Sequence, residues 1–340
     1  MCFTLSSTRA YNATERAVNT RVKLPHVVWR GARGPVLVLG SLAVVAVLAS
    51  VLAPYDPTAI GVKDLAPSLT HPFGTDPLGR DVLSRAMYGA RVSLSVAALA
   101  TVITVTVGTA YGAIAGYVGG AADTVMMRIV DALLAVPRIL LLITVVALWR
   151  ELSLWPLVAV LGITGWFGLS RLVRAQVLAL RGQEYIVAAQ SLGASGVRIM
   201  IRHILPNVLP TVIVAAALGV GQVIVLEAGL SYLGLGVQPP DASWGNIIQD
   251  GADQIGTLWW ISLFPGLLIV ATAIACNSLG EALRGALDPR GTTRTTVPIW
   301  RLWTGRQDVV IARKGPPPVG PAPVASGDGR PPVAPTTTTR

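Results

Sequence analysis

The chain has 340 residues, of which 52% are hydrophobic and only 13% are charged, and its mean hydropathy is +0.61. Soluble domains carry roughly 25% charged residues, so this composition excludes an ordinary soluble domain and predicts an integral membrane protein. The net charge of +10 does not indicate nucleic-acid binding, because no aromatic interleaving or nucleic-acid motif accompanies the basic residues. Cys2 and Cys276 lie at opposite ends of the chain, which predicts no disulfide framework.

Five uncharged stretches are near or above the ~20 residues that a helix needs to cross a bilayer. They are 35–53, 92–122, 152–170, 204–226 and 254–280. A sixth candidate at 125–149 is weaker, because Asp131, Pro137 and Arg138 interrupt it. With that candidate included, the pattern predicts an all-α polytopic membrane protein with six transmembrane helices. The first span has no small-residue cleavage site behind it, so we interpret it as retained and not as a signal peptide.

The positive residues orient these spans. If both termini lie inside, the inside segments carry 22 of the 27 Lys and Arg residues, and such an excess marks the cytoplasmic side. The N-terminal segment at 1–34, the loop at 171–203 and the C-terminus are therefore predicted to be cytoplasmic. The tail at 291–340 is rich in proline and poor in apolar residues, which predicts a disordered cytoplasmic segment.

The cytoplasmic loop between the fourth and fifth spans has the pattern of a helix, a turn and a second helix. A helix can continue through 171–190, and Gly193 can end it in a left-handed conformation. Ser195 is a good N-cap for a second short helix at 196–205, and Pro206 marks a break after it. On physical grounds alone, this loop is either a helix lying on the inner leaflet or a docking element for a cytoplasmic partner.

The second short helix is predicted to be amphipathic. Its apolar face would comprise Val197, Met200, Ile201 and Ile204. Arg198 and Arg202, four residues apart, would share another face.

The loop resembles the coupling loop in the membrane subunits of ATP-binding cassette importers. Ala188 and Ala189 match the two alanines of that family's motif, Gly193 matches its glycine, and 203–206 match its end. Val187 stands where the family has glutamate, and the carboxylate stands three residues earlier. The resemblance implies that the segment 184–206 couples the chain to an ATPase. The implied coupling residues are Glu184, Ala188, Ala189, Gly193, Ala194, Ser195, Arg198, Arg202, Ile204 and Pro206.

Three further segments resemble the C-type permeases of dipeptide, oligopeptide and nickel importers. They are the lead-in at 71–96, the outer loop at 230–251 and the closing stretch at 279–290. In that family the outer loop lies near the pathway mouth and the docking surface of the binding protein, although a plain surface loop is the alternative. The implied docking residues are Gln238, Pro239, Pro240, Trp244 and Gly245.

Charged side chains cluster in the lead-in, and Asp81 can cap the helix that follows. The cluster comprises Asp76, Arg80, Asp81 and Arg85. It contains no histidine at fixed spacing, so we interpret it as solvated charge pairs and not as a catalytic site.

Polar residues within the spans are candidates for a gate. Asp131 and Arg138 are seven apart, which would place them two turns apart on one helix face, and the family has a similar Asp and Pro, matched by Asp131 and Pro137. Glu227 also fits the family pattern. The alternative for Asp131 is a simple position at the cytoplasmic interface.

Glycines at every fourth position line one face of the second span, a pattern that permits close helix packing. They are Gly108, Gly112, Gly116 and Gly120. Whether their partner helix belongs to this chain cannot be read from the sequence.

The chain has no phosphate-binding loop, nucleophile elbow or clustered metal ligands, so no catalytic residue, metal site or bound cofactor is predicted. The resemblance implies a type I ABC importer-like transmembrane domain in the plasma (inner) membrane of a prokaryote. It also implies a second homologous permease, two cytoplasmic P-loop ATPases holding ATP and Mg, and an extracytoplasmic substrate-binding protein. Lipid is the surrounding solvent, and no nucleic acid is expected.

The expected function is the translocation pathway of an importer, most readily for di- or oligopeptides. The same machinery could import nickel, glutathione or a sugar. A secondary transporter would require matched broken helices in two halves, which the sequence does not have, and a membrane enzyme would require a catalytic cluster.

The predicted organisation is a first helix with an extracytoplasmic lead-in at 35–91 and a five-helix core at 92–290, between the two cytoplasmic end segments.

Overall fold

A computed structural model describes residues 26–148 and 153–287. Most of the predicted N-terminal segment and the whole of the predicted tail at 291–340 lie outside these residues. In the described ranges every regular element is helical, apart from one isolated antiparallel bridge between Thr75 and Asp81. In chain order the elements are α1 (His26–Val47), α2 (Ala49–Leu52), α3 (Val82–Val118), α4 (Gly120–Leu134), α5 (Arg138–Ala147), α6 (Leu154–Ile163), α7 (Trp166–Arg181), α8 (Glu184–Ser191), α9 (Gly196–Ile199), a π-helical turn (Met200–Ile204), α10 (Leu205–Tyr232), α11 (Trp244–Asp250), a 3₁₀ turn (Ala252–Gln254) and α12 (Trp259–Leu287).

Four helical segments within the described residues are long and apolar enough to cross a membrane. They are Val82–Val118, Leu154–Arg181, Gly196–Tyr232 and Trp259–Leu287. The bent pair α4 and α5 makes a fifth if it is counted as one span, and the apolar part of α1, Ala32–Val47, is shorter than these. The protein is therefore an all-α polytopic membrane protein, as predicted. The count of six spans and the cytoplasmic position of both termini stay predictions.

The third predicted span is broken. α4 and α5 meet at an angle of 80°, because Pro137 has no backbone N–H to continue the helix and disfavours helical geometry at the residue before it. The prediction that Asp131 and Arg138 share one face of a continuous helix is therefore wrong.

The second span ends before residue 122, where the uncharged stretch was predicted to end. α3 stops at Val118 because Gly119 and Gly120 both have positive φ, at 71° and 61°.

The glycine seam packs within this chain, since α3 lies along α7. A Cβ atom added at Gly108 or Gly116 would stand about 3 Å from side chains or backbone of α7, and at Gly112 it would press on the Ser170 carbonyl oxygen. The seam thus lets two membrane helices approach closely enough for backbone contact. Gly120 does not belong to it, because it lies beyond the end of α3 and nothing is within 4 Å of its added Cβ.

We expect Gly112→Ala to lower the thermal unfolding temperature of the purified protein. The added Cβ would stand 2.9 Å from the Val173 Cβ and closer still to the Ser170 carbonyl oxygen, and overpacking of this kind costs about 1–3 kcal/mol. Gly266→Ala in α12 is the matched control, because nothing lies within 4 Å of its added Cβ. The control should be neutral or slightly stabilising, since alanine favours helix over glycine. Equal unfolding temperatures for the two variants would contradict this account of the seam.

The main hydrophobic core lies where α3, α5, α6 and α10 meet, and it includes the buried side chains of Val96, Leu142, Leu161 and Ile224. A second cluster extends from α3 and α7 into the cytoplasmic loop. A third lies under α11 and the start of α12. The two loops singled out by the sequence are therefore both packed against the helical bundle.

Candidate functional site

The loop between α7 and α10, which the sequence predicts to be cytoplasmic, is built from three short helical pieces. The helix predicted through 171–190 is interrupted: α7 ends at Arg181, and Gln183 is extended, with φ −75° and ψ 142°, before α8 begins at Glu184. Gly182 lies at this break, and glycine is among the weakest helix formers because ordering its backbone costs the most entropy. The loop therefore has one more hinge than the sequence pattern predicted.

The turn between α8 and α9 confirms the predicted roles of Gly193 and Ser195. Gly193 has φ +80°, its N–H donates to the Gln190 carbonyl at 2.9 Å, and the Ala194 N–H donates to the Ala189 carbonyl at 3.1 Å. This pair of bonds is a Schellman motif, which requires a left-handed residue at Gly193. The Ser195 hydroxyl oxygen then accepts from the Arg198 N–H at 3.4 Å and caps α9.

The helical path does not end at Pro206, contrary to the prediction. α9, the π-helical turn and α10 run together from Gly196 to Tyr232, with Pro206 in the first turn of α10 and Pro210 inside it. A proline cannot donate to the preceding turn, and the wider π turn just before it accommodates the missing hydrogen bond. The loop is thus joined directly to a long membrane helix.

The buried face of the loop also differs from the prediction. Ile186, Ile199 and Ile204 are buried and pack against apolar residues of α3, α7 and α10, whereas Val197 and Ile201 are 70% and 63% exposed. The π turn follows α9 after four residues and winds more residues per turn, so the face predicted for a regular α-helix is rotated.

The solvent side of the loop carries both apolar and basic side chains. We call it the loop surface and define it by Tyr185, Val187, Leu192, Val197, Arg198, Ile201 and Arg202, all of which are exposed. Among the predicted coupling residues, Ile204 is buried, Ala189 and Ala194 are half-buried, and the others are exposed. Exposed apolar side chains rimmed by charge are typical of a protein-binding surface.

The candidate gate residues lie in separate places. Asp131 on α4 forms an ion pair with Arg171 on α7, and both side chains are about half exposed. Arg138, at the start of α5, points away from it and donates to the Leu161 carbonyl oxygen at 2.8 Å. A second ion pair between α4 and α7, which the sequence did not reveal, joins Asp123 and Arg174 through two bonds of 2.5 and 2.6 Å. Its partners are 51 residues apart, so no local pattern indicates it.

Glu227 is fully buried near the outer end of α10. Its carboxylate accepts from the Ser93 hydroxyl at 3.0 Å and from the Ser231 hydroxyl at 2.7 Å. The Ser93 hydroxyl oxygen in turn accepts from the Trp244 backbone N–H at 3.2 Å. Glu227 therefore connects α3, α10 and α11 and does not face an open pathway in this conformation.

The outer loop contains the short helix α11, which a capping box between Ser243 and Asn246 begins. Trp244 is fully buried and its indole N–H donates to the Ala86 carbonyl at 3.0 Å. A Cβ at Gly245 would meet the Ala228 backbone within 2.7 Å. These two predicted docking residues therefore lie beneath the surface, because α11 inserts between α3 and α10. Gln238, Pro239 and Pro240 are exposed and line an outer cavity of about 490 Å³.

The charged residues of the lead-in form a buried network, so the prediction of solvated pairs is wrong. The Asp76 side chain is fully buried and accepts from Arg80 Nε and Arg85 Nη1, each at 2.6 Å. Asp250, at the end of α11, accepts from the same two arginines at 2.8 and 2.7 Å. The Asp81 carboxylate caps α3 by accepting from the Ser84 N–H at 2.7 Å, as predicted. This network ties the lead-in to the outer loop.

Comparison with known proteins identifies the family. Residues 108–292 match the family described as "Binding-protein-dependent transport system inner membrane component". The chain belongs to this family. The dipeptide transport system permease protein DppC of Bacillus subtilis (strain 168) is 41% identical over 262 residues, which are 76% of this chain and 82% of that protein. The oligopeptide transport system permease protein OppC of the same strain is 40% identical over 255 residues, 73% of this chain and 83% of that protein. The OppC protein of Haemophilus influenzae is 41% identical over 238 residues, 69% of this chain and 76% of that protein.

The matched region places the candidate sites within this transport-system component. It begins at Gly108 in the glycine seam and includes the whole cytoplasmic loop, the broken span and the outer loop. The arginines of the buried network precede it. The protein is thus a multi-pass membrane component of a transport system, and its predicted cytoplasmic loop belongs to the family's shared region.

Proposed function

We propose that this chain is the translocation subunit of an ATP-driven, binding-protein-dependent importer in the inner membrane of a prokaryote. Membership of the family and the relatives' names support transport as the function. The observation that carries the mechanism is the cytoplasmic loop: a folded, surface-exposed element joined without interruption to a membrane helix. Such an element can transmit a mechanical change made outside the membrane to the pathway within it.

The cargo we propose is a di- or oligopeptide. Relatives at 40–41% identity that cover most of this chain are named as dipeptide and oligopeptide permeases. A third group of relatives, from Brucella, is named as parts of peptide transport systems. No feature of the described residues favours a metal ion or a sugar.

The loop is mechanically suited to coupling because it is anchored on one side and exposed on the other. Ile186, Ile199 and Ile204 fix it to the core of the bundle, while the loop surface is free for a partner. The helical run from Gly196 to Tyr232 has 37 residues, which is roughly 55 Å at 1.5 Å per residue. A partner that displaces α9 would therefore also displace α10, because both belong to one helical run that extends from the cytoplasmic loop to the outer end of the bundle.

The partners we propose follow from this arrangement and from the family. Two cytoplasmic ATPases would bind ATP and Mg²⁺ and receive the loop surface, whose arginines suit acidic side chains of a groove. A second related permease would cover apolar side chains that now face outward, and an extracytoplasmic binding protein would deliver the peptide. Closure of the ATPases would draw the two coupling loops together and open the pathway to the outside.

Affinity purification tests this proposal. The chain is tagged in its native host, the membranes are solubilised gently, and the co-purifying proteins are identified by mass spectrometry alongside measurement of ATP hydrolysis. We expect a second polytopic permease and P-loop ATPases, with hydrolysis stimulated by the binding protein and a peptide. Recovery of this chain alone, from a preparation shown to be intact, would contradict the proposal and favour an autonomous transporter.

A further inference from the structure

A partly polar cavity of about 270 Å³ lies between α3, the start of α5, α7 and α10. It opens to the surface at Gly168, Leu172 and Gln222, which are exposed. Its polar lining includes Thr101, Thr104, Arg138 and Gln222, and none of the described residues that line it is acidic. Two chain breaks meet there, because α5 begins at Arg138 and Gly165 separates α6 from α7. Interrupted helices at membrane depth are stable where they line a cavity that can hold water or a ligand.

The Arg138 guanidinium makes few hydrogen bonds for a charged group that lies among membrane helices. It has five N–H donors, and its one hydrogen bond to a described residue goes to the Leu161 carbonyl oxygen. Its Nε is buried and has no partner among the described residues. Among the described residues no carboxylate forms an ion pair with Arg138, although charged groups within membrane spans are normally paired or line a functional cavity. The cavity therefore has an excess positive charge, and guanidinium N–H donors in it lack acceptors among the described residues.

Thr101 provides a second unsatisfied group on the wall formed by α3. The residue is only 5% exposed, and its hydroxyl has no hydrogen-bond partner among the residues that the structure describes. A buried hydroxyl without a partner is unfavourable unless a ligand or water satisfies it. Gln222 adds an amide from α10. A cation, a hydroxyl and an amide thus converge from three different helices.

From this arrangement we propose that the cavity binds the terminal carboxylate of the transported peptide, with Arg138 as its principal ligand. A guanidinium binds a carboxylate through two parallel N–H donors, which makes the contact directional as well as charged. The volume is slightly below the roughly 300–1,000 Å³ of sites that enclose a small ligand, so it suits one end of a peptide and not a whole chain. This inference rests on the proposed function and names a contact within the pathway.

Ligand-induced stabilisation tests the contact directly. The transporter complex is purified without its binding protein and placed in phosphatidylcholine nanodiscs, and its thermal unfolding is measured with trialanine and with trialanine amide. A ligand raises the unfolding temperature according to its concentration relative to its Kd. We expect trialanine to bind at least about tenfold more tightly than the amide, because the amide lacks the negative carboxylate that an arginine fork prefers.

Variants of Arg138 separate recognition from folding. Arg138→Gln should remove the preference for trialanine over its amide, and Arg138→Lys should keep part of it because the charge remains. Thr101→Val should weaken binding of trialanine with little change in the unfolding temperature without ligand. Failure of trialanine to stabilise the wild-type complex, or an unchanged preference in Arg138→Gln, would overturn the inference. So would equal, Arg138-dependent stabilisation by phosphatidylglycerol, which would identify an anionic lipid headgroup as the ligand.

A filled cavity gives an independent test by transport. Gly168 lines the cavity and nothing lies within 4 Å of its added Cβ, so Gly168→Leu should place a larger side chain at the cavity wall and lower trialanine uptake at least about tenfold. Gly266→Leu is the control, since its added Cβ is equally free and lies outside the cavity. If wild-type cells import no more trialanine than cells without the chain, the proposed peptide transport itself fails. If wild-type cells import it and Gly168→Leu cells do so equally fast, only the cavity inference fails.

Discussion

Replacement of Gly193 by valine is expected to lower peptide uptake at least about tenfold, because a left-handed backbone costs an L-residue roughly 1–2 kcal/mol and a β-branched one more. Gly193 has φ +80°, and both of its neighbouring hydrogen bonds depend on that conformation. Loss of the turn changes the angle between α8 and α9, and with it the loop surface that we propose contacts an ATPase. Uptake of radiolabelled trialanine by cells carrying the variant as their sole copy measures the effect.

Two companion variants isolate the backbone as the cause. Nothing lies within 4 Å of an added Cβ at either Gly193 or Gly182, but Gly182 has φ −82°, which any residue adopts. Gly182→Val should therefore keep more than half of the uptake. Gly193→Asn should also retain activity, since asparagine tolerates the left-handed region better than other non-glycine residues. Normal uptake by Gly193→Val at equal abundance in the membrane would exclude a coupling role for this turn.

The second large effect is expected for Asp76→Asn, which should destabilise the protein by about 3–5 kcal/mol, the range for removing one partner of a buried ion pair. Asp76 is fully buried and Arg85 is only 5% exposed, so the substitution leaves a largely buried positive charge without its closest carboxylate. Asp250 remains as a partner but is itself one-third exposed. The variant should show a markedly lower unfolding temperature and reduced abundance in the membrane.

Asp131→Asn provides the same chemical change in an exposed pair. The Asp131 and Arg171 side chains are 43% and 50% exposed, and such surface pairs contribute about 0–1 kcal/mol. Its unfolding temperature should stay close to that of the wild type. If the two variants unfold at the same temperature, burial of the network around Asp76 does not contribute to stability as we infer.

Local signals in the sequence predicted the turns and caps well. Gly193 is left-handed, and Ser195 and Asp81 each cap a helix by accepting from a backbone N–H three residues later. These motifs involve only neighbouring residues, so the residue types present in one short segment suffice to predict them. The glycine seam was predicted for the same reason, although its partner helix was not.

Predictions that depended on the environment of a polar group were less successful. The lead-in charges were expected to be solvated, but Arg85 pairs with Asp250, which is 165 positions away. Trp244 was expected at a docking surface, but its indole donates to Ala86, 158 positions away. Neither contact has a local signal, because side chains of α11 meet the lead-in and α3 only after the bundle has assembled.

The amino-acid sequence by itself determined that this protein is a helical membrane protein, where its apolar segments lie, and that a glycine turn interrupts the loop between α7 and α10. Those properties follow from composition, periodicity and local backbone preferences. Only the tertiary structure decided which face of the loop is buried, that Asp131 and Arg138 diverge, and that Arg138 and Thr101 line one cavity. Each of these depends on how a proline bend or a π turn redirects a helix and on which distant helix then packs against it.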